Sequence, residues 1–474
     1  MDTEMIFALT PLLLVAFGIV LQLLLIAWRR SQYMILGLTI WVLLCALAAN
    51  ASLFSQEAIQ VTRLLKVDSY GAFALALVAL SALVVCFVSK QVFRRFTEVH
   101  DEYYVLLLLV VLGAGTLIFS DHFASLFLGF ELLSIALVGL VGYLMEEQHA
   151  VETGFKYLIL SASASSFMLL GIAFIYSQTG SLSFPVEQIG PMHGNHFHLL
   201  GVLLLFVGIA FKLSLVPFHF WTPDVYQGAP TPITMLLATV SKVAIFVVLI
   251  KVWLGQQYFA NGQLLQLVSV VAVLSMLIGN ILALQQQNIK RLLGYSSIAH
   301  MGYLLIVLVV VSSKSFDFIW QTALFYLAAY ALASLSIFVA LVVYTAGSGD
   351  EQDIEMDSWQ GLFWHKPLLS ALIIMALLSL AGIPLSMGFI GKFYLLSYAT
   401  QAGLWELIAA LIIGSGISLF YYLRLIFVLF SSSYEAPKLR SYSYANYLLV
   451  VLLAITGLTL GLYPNVISAL LISL

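Results

Sequence analysis

Charged side chains are scarce in this sequence: they make up 9% of its 474 residues, against about 25% in ordinary soluble domains. That scarcity excludes a soluble globular protein. The formal net charge of -3 supplies no basic footprint for nucleic acid. Cysteine is nearly missing as well. Cys45 and Cys86 each lie inside an apolar run, which fits packing rather than a disulfide or a metal site. There is no cysteine spacing for iron–sulfur ligation, no glycine loop for phosphate after a strand, and no Walker motif. The chain is therefore expected to carry no redox centre, nucleotide site or metal of its own. The first apolar run lacks a basic leader and is too long for a signal peptide core, so it is expected to be a retained span.

What the sequence has is apolar length. Hydrophobic residues make up 62%, and the mean hydropathy is +1.06. Counting runs of about 20 apolar residues predicts an all-α polytopic membrane protein with about 14 transmembrane helices. They fall near 5–27, 33–53, 69–88, 104–119, 123–144, 157–177, 198–220, 232–253, 263–285, 292–312, 318–345, 367–399, 405–431 and 445–468. The longest loops are 54–68, 178–197 and 346–366, and no soluble domain fits between the spans.

Basic residues set the expected orientation. With both termini outside, the inner loops hold Arg29, Arg30, Lys90, Arg94, Arg95, Lys156, Lys290, Arg291, Lys366, Lys438 and Arg440, with Arg424 close by. The outer loops hold Arg63, Lys66 and Lys314, roughly three against twelve, and the opposite topology would invert this bias. Lys251 sits at the outer end of its span and is expected to snorkel.

Four ionisable residues remain at membrane depth: Glu131, Lys212, Lys242 and Lys392. Each costs roughly 2.5–3.5 kcal/mol to insert, so such residues mark ion or proton paths. Two of the spans that carry them are interrupted. The seventh runs through Lys212 into Pro217 and Pro223; the twelfth contains Gly382 and Pro384 before Gly388, Gly391 and Lys392. A broken helix at this depth needs protein or water to satisfy its freed carbonyls.

Paired interrupted spans five apart predict an inverted repeat, with spans 4–8 (104–253) as one five-helix unit and spans 9–13 (263–431) as the other. Residues 1–103 precede the two units, and 445–474 holds the final span. In that scheme Lys212 and Lys392 are counterparts, and His300 stands where the first unit has Glu131.

Burial disfavours a charged ammonium and a nearby carboxylate favours it. Glu131 is accordingly expected to pair with Lys212 as a switch, the alternative being a static structural pair. Ser296, His300 and Tyr303 share one face of span 10 at i, i+4 and i+7, with His300 as the relay. Thr239 and Lys242 lie three apart on span 8. Tyr421 and Tyr422 are expected near an exit, and Ser161 and Ser165 at a close helix contact. His193, His196 and His198 read as plain loop. Asp350, Glu351, Asp353, Glu355 and Asp357 read as a solvated face or a partner contact.

Several stretches resemble the antiporter-like subunits of respiratory complex I. They are Lys212-Leu213-Ser214-Leu215-Val216-Pro217-Phe218-His219, Trp221-Thr222-Pro223-Asp224-Val225-Tyr226-Gln227-Gly228-Ala229-Pro230, Ser241-Lys242-Val243-Ala244, Asn288 through Ser297, and Gly388-Phe389-Ile390-Gly391-Lys392-Phe393. The resemblance covers nearly the whole chain. It implies two inverted five-helix units with discontinuous helices 7 and 12. It implies an inner half-channel at Glu131 and Lys212, a central link at Lys242 and an outer half-channel at Lys392.

The sister M type typically has glutamate where Lys392 stands, and the L type adds a long lateral helix beyond the fourteenth span. Both differences point to the remaining N-type branch. The resemblance further implies NADH, FMN, iron–sulfur clusters and quinone on other subunits. Its implied partners are the neighbouring M-type subunit and small membrane subunits, in a bacterial cytoplasmic membrane. Two other classes stay open: a subunit of a secondary cation/proton antiporter, and a passive scaffold of a membrane arm.

Overall fold

The computed structural model describes residues 3–93, 101–144, 148–184, 196–311, 316–348, 354–431 and 444–474. It is a bundle of helices. The first unbroken stretch holds α1 (Thr3–Trp28), α2 (Gln32–Ala51), a two-strand hairpin of β1 (Ile59–Gln60) and β2 (Lys66–Val67), and α3 (Ser69–Phe93). Next come α4 (Glu102–Ile118), α5 (Phe123–Val141), α6 (Gln148–Thr179), α7 (His196–Leu213), α8 (Trp221–Gly228), α9 (Thr231–Ala238) and α10 (Val240–Gly255). The later part holds α11 (Gly262–Leu284), α12 (Ile289–Leu304), α13 (Ile306–Val310), α14 (Phe316–Ser348), α15 (Leu362–His365), α16 (Pro367–Ala381), α17 (Met387–Gln401), α18 (Trp405–Phe430), α19 (Tyr444–Leu462) and α20 (Asn465–Ser473).

Each of the expected apolar runs is a helix or a helix pair. Among the described residues, 11 helices are long and apolar enough to cross a membrane, or up to 12 if α19 and α20 form one bent span. The two short cases are α4 and α16, and α16 continues after a break into α17. The final span is not a single straight helix. It bends by 76° between α19 and α20, at Pro464, which has no N–H to continue the ladder.

Polar side chains start several helices. Asn261 accepts from the amides of Gln263 and Leu264 at 2.9 and 3.3 Å, and Asn288 accepts from the Arg291 amide at 3.1 Å. Each satisfies donors that the first turn leaves free. Burial is graded across the bundle. The spans formed by α9–α10, α12–α13 and α14 are almost wholly buried, whereas α1, α6, α11 and α18 expose much of their apolar surface. That surface suits lipid or neighbouring helices, and the buried spans form a dense centre.

Two basic residues placed in loops or at a water interface by composition are held inside instead. Lys290 is fully buried, and its Nζ donates to the Ala229 carbonyl at 2.6 Å, just past the end of α8. Lys251 does not snorkel: its Nζ lies 2.8 Å from Asp68 Oδ2, joining α10 to the turn before α3. His193, Asp350, Glu351 and Asp353 lie outside the described residues. The described part of that acidic loop pairs with the start of α12, through an antiparallel bridge of Asn288 with Glu355.

Candidate functional site

The seventh and twelfth spans break in the same manner. At the end of α7, Ser214 takes a left-handed backbone with φ 63°. Its amide donates to the Phe211 carbonyl at 3.0 Å, and the Leu215 amide donates to the Ala210 carbonyl at 2.9 Å. At the end of α16, Gly382 takes φ 80°. Its amide donates to the Ser379 carbonyl at 3.1 Å, and the Ile383 amide donates to the Leu378 carbonyl at 3.0 Å. Both are left-handed C-terminal caps. A serine in this region is strained where glycine is not.

Such caps leave the last carbonyls of the half-helix free, where the helix dipole is negative. In each case a lysine fills that place. Lys242, reaching from α10, donates to the Leu213 carbonyl at 2.8 Å and to Ser214 Oγ at 2.7 Å. Lys392, reaching back from α17, donates to the Leu380 and Ala381 carbonyls at 3.1 and 2.9 Å. Lys242 is fully buried and Lys392 is 6% exposed. The ammonium thus replaces the amide donors that a continuing helix would have supplied.

Gly382 serves Lys392 twice. It permits the left-handed turn, and its missing side chain leaves room for the lysine stem. A Cβ there would lie 2.8 Å from Lys392 Cδ.

Lys212 sits two residues before Ser214, on the last turn of α7, and is 1% exposed. Its Nζ donates to Tyr157 Oη at 2.8 Å and to Ser161 Oγ at 3.1 Å, both one turn apart on α6. It also lies 4.7 Å from the centre of the Tyr157 ring and 5.4 Å from that of Phe130, distances at which a cation is attracted to a ring face. The close approach of α6 to α7 makes this reach feasible. A Cβ on Gly171 would lie 2.5 Å from the Gly201 carbonyl oxygen. Ser161 therefore binds the lysine, where its sequence context pointed only to helix packing.

Glu131 does not touch Lys212. Among the described residues no ion pair joins them, and Glu131 Oε1 is buried without a hydrogen-bond partner. Glu131 is half-buried, although its α5 neighbours Leu128 and Ile135, at i−3 and i+4, are 62% and 66% exposed.

The expected counterpart relation of Lys212 and Lys392 also changes. Measured from the left-handed residue of each break, Lys212 comes before it and Lys392 after it. The lysines alike in contact are Lys242 and Lys392.

A second polar cluster surrounds α12. His300 Nδ1 lies 2.8 Å from Tyr326 Oη. Tyr330 donates to Ser297 Oγ at 2.8 Å, and Ser296 is hydrogen-bonded to Tyr422. The Lys392 ammonium lies 5.0 Å from the centre of the Tyr303 ring, and that ring lies 5.7 Å from His300. His300, Tyr303 and Lys392 are thus brought together, with Lys392 joining a helix face that spacing marked by Ser296, His300 and Tyr303 alone. Thr239 does not bond its neighbour Lys242; it donates to the Met235 carbonyl at 2.7 Å. Among the described hydrogen bonds, none links Lys242 to His300, and the polar groups fall into two clusters.

Residues missed by sequence reasoning are Tyr157, Ser214, Asn280, Tyr326 and Tyr330. Tyr326 and Tyr330 carry a readable signal, four apart in an apolar helix. Ser214 carries none, because its role depends on the backbone turn.

Residues 120–418 match the family model described as NADH:quinone oxidoreductase/Mrp antiporter, TM. A chain of respiratory complex I from Thermus thermophilus is 31% identical, with 97% of this chain and 98% of that chain covered and a TM-score of 0.83. A chain of the archaeal membrane-bound sulfane sulfur reductase is 24% identical, with 99% and 96% covered and a TM-score of 0.84. A chain of the Mrp complex from Dietzia sp. DQ12-45-1b is 20% identical, with 100% and 97% covered and a TM-score of 0.87. The last two show a shared fold.

Proposed function

Because the chain belongs to the NADH:quinone oxidoreductase/Mrp antiporter transmembrane family, we propose that it is a proton-translocating membrane subunit of an NADH:quinone oxidoreductase, of the N type. The observation that carries this is the placement of Lys242 and Lys392 on the carbonyl ends of two broken helices. A buried ammonium held by neutral acceptors can give up its proton without breaking an ion pair. Its loss weakens these bonds and removes the cation from the negative end of the half-helix, which links proton occupancy to the shape of the break.

In this reading Lys212 loads from Tyr157 and Ser161, Lys242 is the central link, and His300 relays toward Lys392. The two halves, 104–253 and 263–431, act as inverted units flanked by 1–103 and 445–474. Glu131 acts on Lys212 across a short gap. The exposed Leu128 and Ile135 on the same helix form a face where a neighbouring membrane-arm subunit docks. The proposed neighbours are the M-type subunit and small membrane subunits, in a bacterial cytoplasmic membrane with both termini outside.

Redox energy comes from NADH, FMN, iron–sulfur clusters and quinone on other subunits. The likeness to a chain of a respiratory complex I supports this choice over a free-standing antiporter.

The test is reconstitution of the whole complex in sealed vesicles. Proton uptake or release that requires both NADH and quinone supports the reading. Proton movement driven by a sodium gradient alone assigns the chain to the antiporter class.

A further inference from the structure

Asn280 lies on α11 in an otherwise apolar run and is fully buried. All its polar atoms are engaged. Its Nδ2 donates to the Met276 carbonyl at 2.6 Å and to Tyr303 Oη at 2.8 Å, and its Oδ1 accepts from Tyr421 Oη at 3.0 Å. The Met276 carbonyl can only accept, so it fixes which end of the amide is nitrogen. The carbonyl end can only accept in turn, so the Tyr421 hydroxyl hydrogen is committed to Asn280. Tyr303 receives a hydrogen and keeps its own for another acceptor. The space is built for this arrangement, because a Cβ on Gly414 would lie 2.8 Å from Tyr303 Oη and 2.9 Å from Asn280 Nδ2.

The two phenols belong to different neighbourhoods. Tyr303 stands beside His300 and the Lys392 ammonium. Tyr421 stands against Tyr422, whose hydroxyl is bonded to Ser296, with ring centres 4.4 Å apart. Asn280 is the direct join between them. A carboxylate or imidazole at this place would take a proton on one atom and release it from another, and a hydroxyl would do both at its single oxygen. A carboxamide does not, since one end only donates and the other only accepts.

We propose that Asn280 is a proton-insulating joint, which holds Tyr303 and Tyr421 in fixed hydrogen-bond directions while keeping protons on the Lys392 side from passing to the tyrosine pair of α18. Asn280 is a positioning residue here, and its role rests on the proton-translocation reading above. Its use is directional. A path that must release protons at one end loses its gradient if a side branch conducts.

The experiment uses the assembled complex in sealed proteoliposomes and reads passive proton flow, with no NADH present, after an imposed pH step. Asn280→Asp places a proton-carrying group of nearly the same size at the joint and is expected to collapse the pH step several-fold faster than the unaltered complex. Asn280→Leu fills the space without carrying protons and is expected to stay as tight as the unaltered complex. Asn280→His is a second carrier and gives the same readout if the aspartate variant does not assemble.

Carrier variants as tight as the unaltered complex overturn the proposal, as does a leucine variant as leaky as the carriers. Because the leak is read without substrate, failure of the insulating role is distinguishable from failure of the parent reading. That reading fails separately if Lys212→Met pumps normally under NADH.

Discussion

Lys242 closes the end of a helix it does not belong to: its ammonium donates to the Leu213 carbonyl at 2.8 Å across the interface of two spans. Lys392 does the same for the Ala381 carbonyl at 2.9 Å, but from the helix that follows its own break. In both, a cation stands at the negative end of a half-helix.

Replacing Lys242 with methionine keeps the stem and removes the donor. Leu213 then loses a charged hydrogen bond of roughly 1.5–3 kcal/mol. The expected outcome is loss of proton translocation together with a lower melting temperature of the complex. Activity assays beside thermal unfolding check this. A variant that melts normally shows that the carbonyl finds another partner.

Tyr157→Phe keeps the ring near the Lys212 ammonium but removes the hydroxyl it binds at 2.8 Å. Ser161→Ala removes the second acceptor. Each single change is expected to slow proton delivery, and the pair is expected to slow it more than the sum, since both serve one ammonium. Turnover measured for the singles and the double, under saturating NADH and quinone, reads the coupling. Strict additivity counts against a shared role.

Gly382→Ala brings a Cβ to 2.8 Å from Lys392 Cδ at a backbone φ of 80°. Left-handed backbone alone costs an alanine about 1–2 kcal/mol. The variant is expected to assemble poorly or to lose translocation while electron transfer in partner subunits survives where assembly succeeds. The yield of intact complex and its quinone-reductase rate distinguish the two losses.

The legible part of this fold was the apolar runs and the two interruptions. Composition and Gly/Pro placement are local signals, and both reached the right helices. His300 and Tyr303 were legible because helical spacing puts them on one face. Lys290 was read from charge alone as a loop residue and is buried on the Ala229 carbonyl. Its context is set by α8, some 60 residues earlier, and no local pattern shows that. Glu131 illustrates the same limit. Its depth in the membrane was readable, but whether it forms an ion pair with Lys212 depends on how α5 packs against α7, which no local pattern shows.

Asp101, just before α4, gives a pH-dependent prediction. It is fully buried, and neither of its carboxylate oxygens has a hydrogen-bond partner. Burial, with Glu102 beside it, pushes its carboxyl above the ordinary value, and Arg30 opposes this. The folded state therefore holds the proton more tightly than the unfolded chain. Stability from this group is full below the unfolded value and is lost as pH rises through the folded one. Asp101→Asn keeps the neutral form throughout. It is expected to raise the melting temperature at neutral pH, with the gain shrinking in acid. An equal gain at both points to a cause other than ionisation.

The decisive observation is the proton yield per electron of the reconstituted complex carrying Lys212→Met, against the unaltered complex under the same NADH supply. A buried lysine held by Tyr157 and Ser161 that carries protons makes the yield fall. An unchanged yield, with electron transfer intact, makes the lysine a structural cation and the chain a scaffold.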